Sequence, residues 1–155
     1  MKQIFIVVSV IALIAITWYA RSHVTHTSDT QAVIPTHETD TTSYINATPD
    51  SIVVELPFPG AVTGKTFSVI GKARGTWFFE ASFPIVVLDT NGKVLAQTNA
   101  KAQGDWMTTE FVPFKADIKV PDTYIGKATL ILKKDNPSGI SEKDASISFP
   151  FTIEY

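Results

Sequence analysis

Phe114-Lys-Ala-Asp-Ile-Lys-Val120 alternates apolar and charged residues without a break. Side chains of an extended chain point to opposite faces in turn, so this pattern places Phe114, Ala116, Ile118 and Val120 on one buried face and three charges in solvent. Ile147, Phe149, Phe151, Ile153 and Tyr155 repeat the period at the end of the chain. Between Ile85-Val-Val-Leu88 and Lys93-Val-Leu-Ala96 lies Asp89-Thr-Asn-Gly92, whose Asn-Gly pair supplies the positive φ angles of a tight hairpin. Further strands are expected at Ile52–Glu55, Phe67–Arg74 and Lys127–Lys134, with almost no helical periodicity in this part of the chain.

About seven short strands in roughly 105 residues predict an all-β fold, an immunoglobulin-like antiparallel β-sandwich. The chain has no cysteine, so its core closes without a disulfide. Trp77, Phe79, Phe83, Ile85 and Val87 are expected to give the central strand its bulk, with Pro84 a possible bulge. Trp106 to Val120 reads as one bent strand, because neither a glycine nor an Asn-Gly pair marks a turn at Pro113. With that count, three segments meet at one end: Arg74 to Trp77, Ala102 to Trp106, and Asp135 to Gly139.

The N-terminal part is of a different kind. Ile4 to Ala20 is apolar apart from Ser9 and Thr17, and Trp18-Tyr19 suits a membrane interface. Residues 1–21 are therefore expected to form a membrane anchor or signal segment, a transmembrane helix over residues 4–20 that leaves the C-terminal domain extracytoplasmic. Trp18 stands where a cleavage site wants small residues, which favours an uncleaved anchor over a signal peptide. Residues 22–50, rich in Thr and free of glycine, read as a flexible spacer, and residues 51–155 as the folded domain. All three histidines, His23, His26 and His37, lie in the spacer.

That distribution bears on chemistry. Without His or Cys in the domain there is no Ser-His or Cys-His nucleophile pair and no ordinary zinc set. Glu80 with Asp105 or Asp135 is the remaining acid–base pair, and Asp135, Glu142 and Asp144 lack the calcium-loop spacing. No enzyme, cofactor or metal is expected. Lys and Arg number 13 against 15 Asp and Glu, without a basic block, so no nucleic-acid partner is expected either.

Three blocks, Ala73 to Pro84 (ARGTWFFEASFP), Gly104 to Phe114 (GDWMTTEFVPF) and Lys134 to Gly139 (KDNPSG), make the chain similar to the bacterial spore germination immunoglobulin-like domain family. The resemblance implies a non-catalytic, extracytoplasmic module of the bacterial cell envelope. The candidate binding loops are then Arg74, Thr76, Trp77, Phe78 and Glu80 on the first segment, Asp105 and Trp106 on the second, and Asp135, Asn136 and Ser138 on the third. Their partner is an envelope protein or, in the alternative reading, a cell-wall glycan lying on Trp77, Phe78 and Trp106. The opposing structural reading makes both tryptophans plugs of the core end and Arg74 with Glu80 an ion pair.

The anchor is tested directly. Full-length protein is expected to stay with membranes through an alkaline wash, and removal of residues 1–21 to release it. A mature product beginning at Arg21 overturns the anchor.

Overall fold

The computed structural model describes residues 41–155. The anchor expected over 4–20 and most of the spacer lie outside the described residues. Nine strands follow in order: β1 (Ser43–Ile45), β2 (Ile52–Leu56), β3 (Val62–Thr63), β4 (Thr66–Arg74), β5 (Ser82–Asp89), β6 (Val94–Ala102), β7 (Phe111–Lys119), β8 (Gly126–Lys133) and β9 (Ser146–Ile153). They form one curled sheet in the order β1-β9-β8-β5-β6-β7-β4-β2, antiparallel except that β3 adds to β9 in parallel.

The seven expected strands are all present, and β1 and β3 are additional. The joint between the two halves is narrow. Only Lys101↔Lys115 and Ala102↔Phe114 pair β6 with β7, whereas β4 and β7 pair along nine residues. One sheet thus folds over on itself, and β6 belongs to both halves. β1 lies inside the stretch read as spacer. Ser43, Tyr44 and Ile45 pair with Ser148, Ile147 and Ser146, and Tyr44 packs on the core, so the ordered domain begins ahead of position 51. Three residues without turn chemistry carry no period that a sequence pattern can register.

β7 carries the quoted alternation faithfully: Val112, Phe114, Ala116 and Ile118 are buried, and Pro113, Lys115, Asp117 and Lys119 exposed. Pro113 sits within the strand opposite Lys72, and its carbonyl accepts the Gln103 N–H at 2.8 Å, so it makes no turn. The strand does not extend to Trp106, however. Residues 107–110 form bends stabilised by local bonds, Thr108 N–H to Trp106 O (2.8 Å) and Glu110 N–H to Thr108 Oγ1 (3.2 Å). The β5–β6 hairpin is found where expected, with the positive φ confined to Gly92 (80°) and Asp89 Oδ1 accepting the N–H groups of Asn91 and Lys93.

The central strand differs from expectation at two points: the register runs unbroken through Pro84, opposite Asn99, with its irregularity between Val87 and Leu88, and the aromatic residues ahead of it are buried in a different order. Trp77, Phe83, Ile85 and Val87 are buried, but Phe79 is 42% exposed and Phe78 is buried instead. A 3-10 turn at Gly75–Trp77 and a tight turn at 79–82 break the alternation before β5 begins. Phe83 then sits amid three edge-to-face rings: Trp77 at 5.9 Å, Phe78 at 5.1 Å and Phe114 at 5.0 Å. Phe67 and Phe151 make a similar contact elsewhere in the domain (5.4 Å).

Because Phe83 is fully buried at the centre of this cluster, Phe83→Ala is expected to destabilise the domain by about 3–5 kcal/mol. An unfolding free energy from urea titration within a few tenths of a kcal/mol of the parent protein's would contradict the role given to this ring.

Candidate functional site

The first segment begins at Gly75, where the backbone of the second segment comes too close for any side chain. A Cβ here collides with the carbonyl oxygens of Thr108 and Trp106, and Gly75 N–H donates to Glu110 O at 3.1 Å. Only glycine permits that approach. Two residues on, the Trp77 carbonyl accepts the Asp135 N–H at 3.0 Å, which ties the third segment to the first. The three segments therefore share one end of the domain, as the strand count predicts. The 46–51 loop joins them: Asn46 Nδ2 donates to Asp144 O (2.9 Å), and Arg74 Nε to Asp50 O (2.9 Å).

Between the first and third segments lies an open groove of ≈ 260 Å³. Thr76, Phe79, Lys134, Pro137, Ser138 and Lys143 line it, over the buried ring of Phe78 and alongside Asp135 and Asn136. One wall is the turn Phe79-Glu80-Ala81-Ser82, closed by reciprocal bonds of 3.0 and 3.1 Å between Phe79 and Ser82. Glu80 (φ 49°) and Ala81 (φ 58°) both occupy the left-handed region, the geometry of a type I′ turn that Asn-Gly normally fills. Each such non-glycine residue costs on the order of 1 kcal/mol or more. The turn lifts Phe79 out of the core and presents it beside the groove.

The opposite wall is organised by Asn136. Its amide nitrogen donates to Ile140 O (2.7 Å) and Asp144 Oδ1 (2.8 Å), and its oxygen accepts the Ser138 hydroxyl (2.6 Å). All three contacts are internal to the loop, so Asn136 shapes the wall. Asp144 is thereby engaged, and among the described residues no three His, Cys, Asp or Glu side chains gather as a metal ion needs.

Each expected residue can now be placed. Trp77 (2% exposed) and Phe78 (5%) are core plugs, and Trp106 is half-buried against the core. That removes the two leading members of the flat sugar platform. Arg74 does not pair with Glu80. Its guanidinium stacks over Phe111 at 4.2 Å and reaches Glu110 at 3.5 Å, while Glu80 stands exposed on the tight turn. Strand pairing decides this, because Arg74 lies opposite Phe111. Asp105 is exposed and caps Met107 N–H at 3.0 Å. Thr76 and Ser138 open onto the groove.

The sequence pattern assigns Phe79 to the core and singles out none of Lys134, Lys143, Met107 and Ile140 for this end. Phe79 was indistinguishable from core because Glu-Ala carries no turn signature. Lys143 is brought to Lys134 by a return of the loop through a short 3-10 turn at Ser141–Lys143, which no spacing rule anticipates.

A family model described as the immunoglobulin-like domain of bacterial spore germination matches residues 51–141, more than half of the chain and all three loop segments. No curated protein and no solved structure matches.

Two substitutions separate the constraints in this region. Gly75→Ala is expected to lower stability by several kcal/mol, because the clash is with backbone that cannot rotate away. Ala81→Gly is expected to raise it by about 1 kcal/mol by relieving a left-handed alanine. Urea unfolding measures both, and equal effects of one sign would refute the assignment.

Proposed function

The chain belongs to the immunoglobulin-like domain family of bacterial spore germination, and from that premise we propose that it is a non-catalytic binding or assembly module of the bacterial cell envelope. In this reading the curled sheet is an immunoglobulin-type sandwich, carried outside the cytoplasm by the apolar segment 4–20. It works through the loop end described above. The observation that carries the proposal is the convergence of three segments distant in sequence, fixed at Gly75 and at the Trp77–Asp135 bond, around a groove with an exposed phenylalanine on its wall.

The groove favours a macromolecular partner over a small ligand. Its volume falls below the roughly 300–1,000 Å³ of small-molecule sites. It has room for an anchoring side chain from a larger surface, with Phe79 supplying the apolar contact that such anchors use. Catalysis has little to act with, because the described residues contain no histidine or cysteine and the acidic residues of the loop end serve as local acceptors or stand in solvent. The glycan reading retains only the half-buried Trp106 and Phe79 as faces for a sugar ring, since Trp77 and Phe78 are enclosed.

The absence of cysteine makes the test clean. A photo-crosslinker attached through Ser138→Cys in the full-length protein is expected to trap a discrete envelope protein, while the same probe at Asp122→Cys, beyond β7 at the other end, traps none. Retention on insoluble wall material that soluble wall fragments displace, without a protein adduct, would replace the proposal by the glycan reading.

A further inference from the structure

Charge is distributed unevenly over the domain. The loops at the groove end carry Asp50 and Glu80, then Asp105 and Glu110, then Asp135, Glu142 and Asp144, against Lys134 and Lys143. Arg74, Lys101 and Lys133 at the adjoining strand ends leave the carboxylates in excess, and Arg74 is already taken up by Glu110. The loops at the other end hold Asp89, Asp122 and Glu154 against Lys65 and Lys93 and are close to balance. The same four groove-end segments also carry exposed apolar side chains: Ile45 beside the 46–51 loop (59% exposed), Phe79 (42%), Met107 (77%) and Ile140 (47%). Leu56, Phe58, Val62, Val94, Ile125 and Tyr155 are exposed elsewhere on the domain, so what distinguishes the groove end is that its exposed apolar side chains stand among an excess of carboxylates, an apolar surface with a charged rim.

Building on the reading that this end is the binding surface, we propose that its partner is a basic segment of a protein. One apolar side chain of that segment seats in the groove against Phe79, and its lysines or arginines lie over Glu80, Asp135 and Glu142. Complementary potential selects the partner's sign and speeds encounter, while the desolvated apolar contact sets the lifetime. Lys134 and Lys143 line the groove itself, so the cationic groups of the partner belong on its rim. Lys134 and Lys143 are themselves placed to donate to the bound segment's backbone carbonyls. An acidic wall polymer or the anionic face of a bilayer meets the wrong sign here. Glu80 makes the strained turn intelligible: an Asn-Gly turn would hold Phe79 in place equally well but would remove a carboxylate from its tip.

The test uses full-length protein in detergent and three fluorescent probes: a heptapeptide alternating lysine with leucine, the same peptide with glutamate for lysine, and an oligomer of N-acetylglucosamine. Fluorescence anisotropy is expected to show binding of the lysine peptide alone, weakening as salt is raised. Glu80→Gln and Glu142→Gln are each expected to weaken it by up to about fivefold, and Phe79→Ala by about tenfold or more. Asp122→Asn, at the far end, is expected to leave it unchanged. Circular dichroism and urea midpoints verify that each variant is folded.

Equal or tighter binding of the glutamate peptide overturns the proposal, as does binding of the sugar oligomer alone. An equal loss with Asp122→Asn overturns it too, because it would mark diffuse charge attraction and no site. If the lysine peptide fails while the Ser138 crosslink to an envelope protein persists, the partner chemistry is wrong and the binding surface stands. If the crosslink fails as well, both fall.

Discussion

The packing of Phe83 against Trp77, Phe78 and Phe114 is the contact on which the rest of the domain depends. Phe83 comes from β5, Phe114 from β7 and the other two rings from the loop before β5, so a single side chain joins the two halves of the curled sheet to the loop end. Sequence-adjacent hydrogen bonding cannot do this, because β6 and β7 share only two residue pairs at the joint. Edge-to-face aromatic pairs contribute about 0.5–1.5 kcal/mol each beyond the area they bury. In a chain without cysteine, this cluster takes the place that the inter-sheet disulfide holds in antibody domains.

Its location has a consequence for function. Filling the end of the core with Trp77 and Phe78 leaves the loops above it with a rigid floor, and Gly75 lets the 104–110 segment come down onto that floor. What remains exposed is then set by backbone geometry. The left-handed pair Glu80 and Ala81 turns Phe79 outward, and the Asn136 network holds the facing wall. In the proposed function such a surface meets another macromolecule at little cost in order, because the Asn136 bonds and the backbone contact at Gly75 already fix the loops.

The sheet edges fit the same picture. β9 would expose a long edge, but β1 covers Ser146–Ser148, and β3 covers Thr152–Ile153 with the help of bonds from Gly60 to Pro150 and from Thr152 to Ala61. Covering an edge removes a template for uncontrolled strand addition. The price is that two short segments contribute little burial of their own, and both depend on the core beneath them for their stability.

The sequence alone determined the all-β class, seven of the strands, the buried face of β7, the hairpin at Asp89 to Gly92 and the meeting of three loops at one end. These follow from side-chain alternation and turn residues, which are local and therefore legible in a linear pattern. The absence of cysteine and the confinement of histidine to the N-terminal stretch were equally plain. Tertiary structure alone decided which aromatic at 77–79 is exposed, that Arg74 pairs with Glu110, that residues 43–45 belong to the sheet, and that Lys143 returns to the groove. In each of these the deciding partner is distant in sequence or the backbone adopts angles that its residues do not advertise, so the outcome depends on packing that no period encodes.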